Sequence, residues 1–220
     1  MKSYSKLIII AVAFAASFNS CEGSNGSSTR IKTKVKMNIS NDNLDTITLA
    51  AGCFWCSEAI FQRLKGVDTV FSGYTGGNVA KPSYKEVCTG ATGHAEAVQV
   101  IYDRDVISLT ELLHVFFKTH NPTTLNRQGD DYGTQYRSGI FYHHPEQLKI
   151  ADEVIKEMND QKIFDAPIVT EITAFTVFYH AENYHQNFYN DNPEYGYCKI
   201  VINPKIEKLE RYFKEKLKEK

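Results

Sequence analysis

Hydrophobic positions along this chain change their period several times, and each change predicts an element. Thr46 to Ala51 is a short apolar run that reads as a buried strand. Beyond a turn at Gly52, the residues Ile60, Phe61 and Leu64 fall at helical spacing and predict a helix over Phe54 to Lys65, ended by Gly66. Val67 to Tyr74 and Ala95 to Tyr102 read as further strands, with Gly73, Gly76 and Gly77 marking a tight loop after the first. Leu109 to Lys118 carries Leu112, Leu113, Val115, Phe116 and Phe117 behind the N-cap candidate Ser108, which predicts an amphipathic helix. His120 to Ser138 shows neither period yet holds many polar side chains and Tyr residues. A long aperiodic stretch in a compact chain is a functional candidate. The pattern resumes with a strand at Gly139 to Tyr142, a Pro-initiated helix at Pro145 to Asn159 and a strand at Ile168 to Ile172. A short polar helix at Ala181 to Tyr189 follows, then an amphipathic helix from Pro204 with Ile206, Leu209, Phe213 and Leu217.

This alternation predicts one α/β or α+β domain over residues 43–220, with no internal repeat. The preceding residues differ in kind. Lys2 and Lys6 flank an apolar stretch, Leu7 to Phe18, so residues 1–20 read as an export signal. Residues 21–42 read as a polar tether that buries too little apolar surface to pack. Phe18-Asn19-Ser20-Cys21 resembles a bacterial lipoprotein box with Phe in place of the usual aliphatic residue. Cys21 is therefore a candidate lipidation site, with an ordinary secretory signal as the alternative. Either reading places the protein in the bacterial cell envelope, and the membrane is reached through the lipid alone. A formal net charge of -1 offers no field to attract nucleic acid.

Candidate chemistry centres on Gly52-Cys53-Phe54-Trp55-Cys56. Cys53 falls at a strand-to-helix junction, where free backbone N–H groups and the helix dipole stabilise a thiolate. A CxxC alone also fits thioredoxin-like exchange or half a zinc site, but no second CxxC is present and no metal site is expected. The flanks of Cys88 read as those of a buried structural thiol.

Further segments follow in order: Gly73-Tyr74-Thr75-Gly76-Gly77, Thr92-Gly93-His94-Ala95-Glu96, Asp131-Tyr132-Gly133-Thr134-Gln135-Tyr136-Arg137-Ser138 and Ala181-Glu182-Asn183-Tyr184-His185-Gln186. Together with the Cys53 segment, they resemble the signatures of A-type methionine sulfoxide reductases from about Ile47 to Pro204. The resemblance implies a two-layer α/β sandwich with a ferredoxin-like core, additional loops and a C-terminal helix. It also implies reduction of methionine-S-sulfoxide, free or in proteins. Cys53 would attack the sulfoxide sulfur, and Glu96, kept protonated by burial, would supply the proton. Tyr74 and Tyr136 would bind the sulfoxide oxygen, and Phe54 and Trp55 would receive the S-methyl group. Asp131 and His185 would support the site from behind. Phe188 stands where the family usually has Tyr, so one hydroxyl is lost or moved.

Attack leaves a Cys53 sulfenic acid, which a second thiol converts to a disulfide. Cys56, one helical turn away, and Cys198, which resembles the family's tail cysteine, are the two candidates. The resemblance implies no bound cofactor, a thioredoxin-like external dithiol as reductant, and a monomer. A disulfide oxidoreductase using Cys53 and Cys56 would not need Glu96, Tyr74 and Tyr136. A non-catalytic exported binding lipoprotein would not need an activated cysteine.

Overall fold

The computed structural model describes residues 43–219. The stretches read as an export signal and a tether, and Cys21 with them, lie outside the described residues. The chain runs β1 (Leu44–Ala51), α1 (Phe54–Phe61), β2 (Val67–Thr75), α2 (Tyr84–Cys88), β3 (Ala95–Asp103), α3 (Leu109–Thr119), β4 (Arg127–Gln128), β5 (Asp131–Tyr132), β6 (Ser138–Tyr142), α4 (Pro145–Asp160), β7 (Glu171–Ala174), β8 (Phe178–His180), α5 (Phe188–Asp191) and α6 (Asn203–Tyr212). The main sheet has the order β7-β6-β1-β3-β2-β8; β6 and β7 are parallel and the other neighbours antiparallel. Its four central strands, with α1 and α3 as crossovers, form the β-α-β-β-α-β unit of a ferredoxin-like core.

Alternation along the strands divides the sheet into two faces. Ile47, Leu49 and Ala51 of β1 and Val98, Val100 and Tyr102 of β3 join Phe61, Leu64, Leu112, Leu113 and Phe116 in the main core, between sheet and helices. The opposite face buries Ala50, Ala95, Ala97 and Phe141 under Phe175 and Phe178. α3 starts with a full capping box, Ser108 accepting from Glu111 N while the Glu111 carboxylate accepts from Ser108 N.

Several elements depart from their predicted bounds. α1 stops at Phe61, because residues 63–65 leave the helix to bond with the C-terminal segment: Lys65 N donates to Lys216 O, and Lys218 N to Arg63 O. β7 begins three residues after Ile168, where its parallel register with β6 pairs Gly139 with Glu171. The expected helix over Ala181 to Tyr189 is broken in two. Gln186 is extended and its side chain acts as a strand, accepting from Ser72 N at 3.0 Å and donating to Ser72 O at 2.9 Å; Asn187 then takes a left-handed φ of 55°. α6 ends at Tyr212, yet Phe213 and Leu217 still pack on the core. Cys88 is exposed at the end of α2, which corrects its reading as a buried thiol.

The nucleophile turn depends on one residue without a side chain. Gly52 has a φ of +84°, and a Cβ there would lie 2.5 Å from Gln128 Cβ. Gln128 cannot swing aside freely: it accepts from Asn121 N and donates to Asn121 O, both at 3.0 Å. Gly52→Ala is expected to cost about 1–3 kcal/mol through left-handed strain, before any clash is counted. An unchanged urea midpoint would contradict this reading of the turn.

Candidate active site

Cys53 caps α1 without a side-chain hydrogen bond, so the first backbone N–H groups of the helix need another partner. Glu96, from β3, supplies it: Phe54 N donates to Glu96 Oε2 at 3.0 Å. The carboxyl is 1% exposed. Burial pushes its pKa up to about 8 against the opposing Phe54 hydrogen bond, with Asp131 and Cys56 adding like charge. Near neutral pH it is therefore mostly a neutral acid held beside the cysteine.

The Cys53 thiol donates to Cys56, and one proton is shared between two buried sulfurs. Burial, followed by Cys56 and Glu96, holds the Cys53 thiol well above the ordinary value of 9.0. The hydrogen bond from Cys53 lowers Cys56 to about 7 despite burial, with help from Lys205 and Tyr197. Cys198, 0% exposed, joins Cys53, Cys56, Ala59, Ile202 and Ile206 in one packed cluster. It opens a single π-helical turn, Cys198–Ile202, that runs into α6.

Three phenols surround the thiols and the carboxyl. Tyr136 lies on a 3₁₀ turn, Thr134–Tyr136, pinned by Arg137, whose guanidinium donates to Thr134 O, Gly93 O and Glu171. Burial, then the nearby Glu96 and Cys53, raise the Tyr136 pKa. Tyr197 donates to Asp131 Oδ2 at 2.7 Å, and its oxygen is within hydrogen-bonding reach of Cys53 and Cys56. Tyr84, at the start of α2, stacks near Phe54 with ring centroids 6.4 Å apart, and burial followed by Glu96 raises its pKa.

Tyr74 differs from its expected role. It pairs across the sheet with Glu96, but its side chain is 0% exposed and its hydroxyl donates to Glu182 Oε2 at 2.8 Å. The other Glu182 oxygen accepts from Tyr84 N at 2.9 Å. Tyr74 therefore braces the Tyr84 backbone from behind, while Tyr84 stands half-exposed at the site. The signal for Tyr84 was the capping box Ser83 to Glu86, which sets the start of α2. Tyr197 could be found only as the neighbour of Cys198.

The aromatic wall is also built from behind. Phe54 is 1% exposed and packs among Tyr74, Tyr84 and His185, so it belongs mainly to the core. Trp55 stays half-buried, stacked on Phe188 at 3.7 Å and 6°, with Nε1 donating to His185 Nδ1 at 3.1 Å. That bond places the His185 proton on Nε2, and burial keeps the ring neutral by lowering its pKa. Buried Glu58, pushed up to about 7 by burial, accepts from Asn187 N and Phe188 N and ties Phe188 to α1. Among the described residues no group of three or more His, Cys, Asp or Glu could hold a metal ion.

A family model described as peptide methionine sulfoxide reductase matches residues 45–217. The chain is 52% identical over 179 residues to the peptide methionine sulfoxide reductase MsrA of Polynucleobacter asymbioticus, covering 80% of this chain and 94% of that one. It is 51% identical over 175 residues to the MsrA of Saccharolobus solfataricus, covering 80% and 98%. The fold is similar to that of Mxr1 from Saccharomyces cerevisiae in its reduced form, with a TM-score of 0.66 and 39% identity over 72% of this chain and 91% of that one. It is also similar to methionine sulfoxide reductase A of Corynebacterium diphtheriae, with a TM-score of 0.63 and 33% identity over 72% and 79%.

Proposed function

The chain belongs to the peptide methionine sulfoxide reductase family, and from that membership we propose which of its residues perform each step. The protein is an oxidoreductase that reduces methionine sulfoxide to methionine in a thiol-dependent reaction. Removing the oxygen requires a sulfur nucleophile and an acid at one point, since attack on the sulfoxide sulfur puts negative charge on the oxygen. The observation that carries the assignment is the buried, mostly protonated Glu96 hydrogen-bonded to the backbone N–H next to Cys53.

In the first step the shared proton moves to Cys56, leaving Cys53 as the thiolate, and Cys53 bonds to the sulfoxide sulfur as Glu96 gives its proton to the oxygen. The oxygen then passes to Cys53 sulfur as its bond to the methionine sulfur and the transient S–S bond both break, so methionine leaves and Cys53 becomes a sulfenic acid. Tyr84 and Tyr136 stabilise the oxygen, with Tyr197 held in place by Asp131. Trp55, fixed by Phe188 and His185, receives the S-methyl group. In the second step Cys56 sulfur bonds to Cys53 sulfur and the hydroxyl leaves as water. Cys198, already packed against the pair, then exchanges onto the disulfide and presents it to an external dithiol of the thioredoxin kind.

We further propose preference for the S epimer, work as a monomer, and residence in the cell envelope on a lipidated Cys21. The mature N-terminal mass tests the last point, and an unlipidated N-terminus beyond Cys21 would overturn it.

With a dithiol supplied, the wild type should reduce methionine-S-sulfoxide and spare the R epimer, and Cys53→Ser should be inactive because serine stays protonated. Equal rates on both epimers, or turnover by the serine variant, would refute the assignment. The tyrosines give a second test. Tyr84→Phe should slow the sulfoxide step by about 10–100-fold, as loss of one donor to a developing oxyanion does. Tyr74→Phe should instead cost about 1 kcal/mol of stability and leave the rate within about threefold. The reverse pattern, in single-turnover kinetics and urea melts, would return the oxygen-binding role to Tyr74.

A further inference from the structure

The hydroxyl missing from Phe188 reappears one residue later, on Tyr189, where it meets a different partner. Adjacent positions of a helix do not face the same way. Phe188 lies on Trp55, whereas Tyr189 turns toward α6 and its hydroxyl donates to Asn203 Oδ1 at 2.7 Å. Asn203 opens α6 directly after the π-helical turn Cys198–Ile202. The bond therefore joins the two ends of residues 192–202, a strap that leaves α5 and returns as α6. Tyr189 is itself held: the Arg63 guanidinium lies 4.9 Å from its ring centroid, and the neighbouring Asn190 donates to Gln62 Oε1 at 2.9 Å, so α5 is tied to the residues that follow α1. The strap carries three side chains to the site. Tyr195 meets the Trp55 ring edge-on at 6.3 Å, Tyr197 donates to Asp131, and Cys198 packs fully buried in the thiol cluster. Each of those contacts depends on the site itself, on the indole, the Asp131 loop or the sulfurs. The bond between Tyr189 and Asn203 does not; it lies at the base of the strap, between two helices.

We propose that Tyr189 is a positioning residue for the thiol relay: its hydroxyl pins the base of the strap and so keeps Cys198 at a high effective concentration beside the disulfide of Cys53 and Cys56. The inference rests on the reading that Cys198 is the recycling thiol. In that exchange the Cys198 thiol loses its proton and its sulfur bonds to Cys56 sulfur. The bond between Cys53 and Cys56 breaks, and Cys53 leaves as a thiolate that takes up a proton, so one disulfide replaces another with no net oxidation. Forming the first bridge draws Cys53 and Cys56 together and disturbs the cluster in which Cys198 packs. Cys198 must then realign without swinging away. A strap whose ends are already joined has met its closure entropy in advance, and its thiol samples a smaller volume than one on a strap open at the base. The π-helical turn gives the strap a place to bend while Asn203 stays fixed.

Tyr189→Phe tests this, since it removes the hydroxyl and keeps the ring beneath Arg63. In the reduced protein Cys198 is buried and reacts with an alkylating agent only when the strap opens, while exposed Cys88 of the same chain serves as the reference. Mass mapping should show Cys198 alkylated about two- to tenfold faster relative to Cys88 in Tyr189→Phe than in wild type, the weight of one hydrogen bond between neutral groups. After one equivalent of methionine-S-sulfoxide, the Cys198 bridge should appear more slowly by a similar factor, whereas methionine release, which precedes the exchange, should stay within about twofold. In an Asn203→Ala background Tyr189→Phe should change neither rate further, a coupling that a merely structural role for the ring would not produce. Cys198 alkylation at the wild-type rate in Tyr189→Phe, or faster alkylation with the exchange unslowed, would overturn the assignment. If Cys198 enters no disulfide in the wild type, the reading of Cys198 as the recycling thiol fails and this inference falls with it.

Discussion

Everything at this site depends on keeping one carboxyl dry. Glu96 is an acid near neutral pH because burial disfavours its charged form more than the Phe54 N–H favours it. That balance fixes the surroundings. The carboxyl must sit at the start of α1, so Gly52 must turn left-handed beneath Gln128. The β3 strand carrying it is flanked by Ala95 and Ala97, which pack on the far face of the sheet. Arg137 holds the 3₁₀ turn that carries Tyr136, which lies near the carboxyl. The same dryness raises the Cys53 thiol, with Cys56 and Glu96 adding to the effect of burial.

The supporting groups form linked pairs rather than a list of independent contacts. Glu182 accepts from Tyr74 and from the Tyr84 backbone, so a core tyrosine sets where a site tyrosine begins. Glu58 holds the turn that carries Phe188, Phe188 stacks on Trp55, and His185 takes the Trp55 N–H. In that chain the loss of a hydroxyl at Phe188 has a physical role: a ring without a polar group lies flat on the indole at 3.7 Å.

Much of this was legible in the sequence where a local rule applied. The switch from strand to helix period around Gly52 located the nucleophile, and the aperiodic stretch His120 to Ser138 marked the loop that brings Asp131, Tyr136 and Arg137 inward. Long-range geometry was not legible. Tyr74 lies opposite Glu96 by strand register, and nothing local shows that its hydroxyl passes the site and ends on Glu182. The side chain of Gln186 replaces strand contacts with Ser72, so the polar stretch from Ala181 could not hold a continuous helix. The thiols Cys53 and Cys56 were found as a motif, whereas their burial in one cluster with Cys198 emerged only from the packing.

The central claim is that a neutral Glu96 delivers the proton to the sulfoxide oxygen, and single-turnover methionine release as a function of pH tests it most directly. The account predicts a rate that declines above about pH 8, approaching about tenfold per pH unit as Glu96 ionises, and a Glu96→Gln variant that is slow throughout and lacks this decline. A glutamine variant that releases methionine at the wild-type rate, with the same high-pH decline, would contradict it.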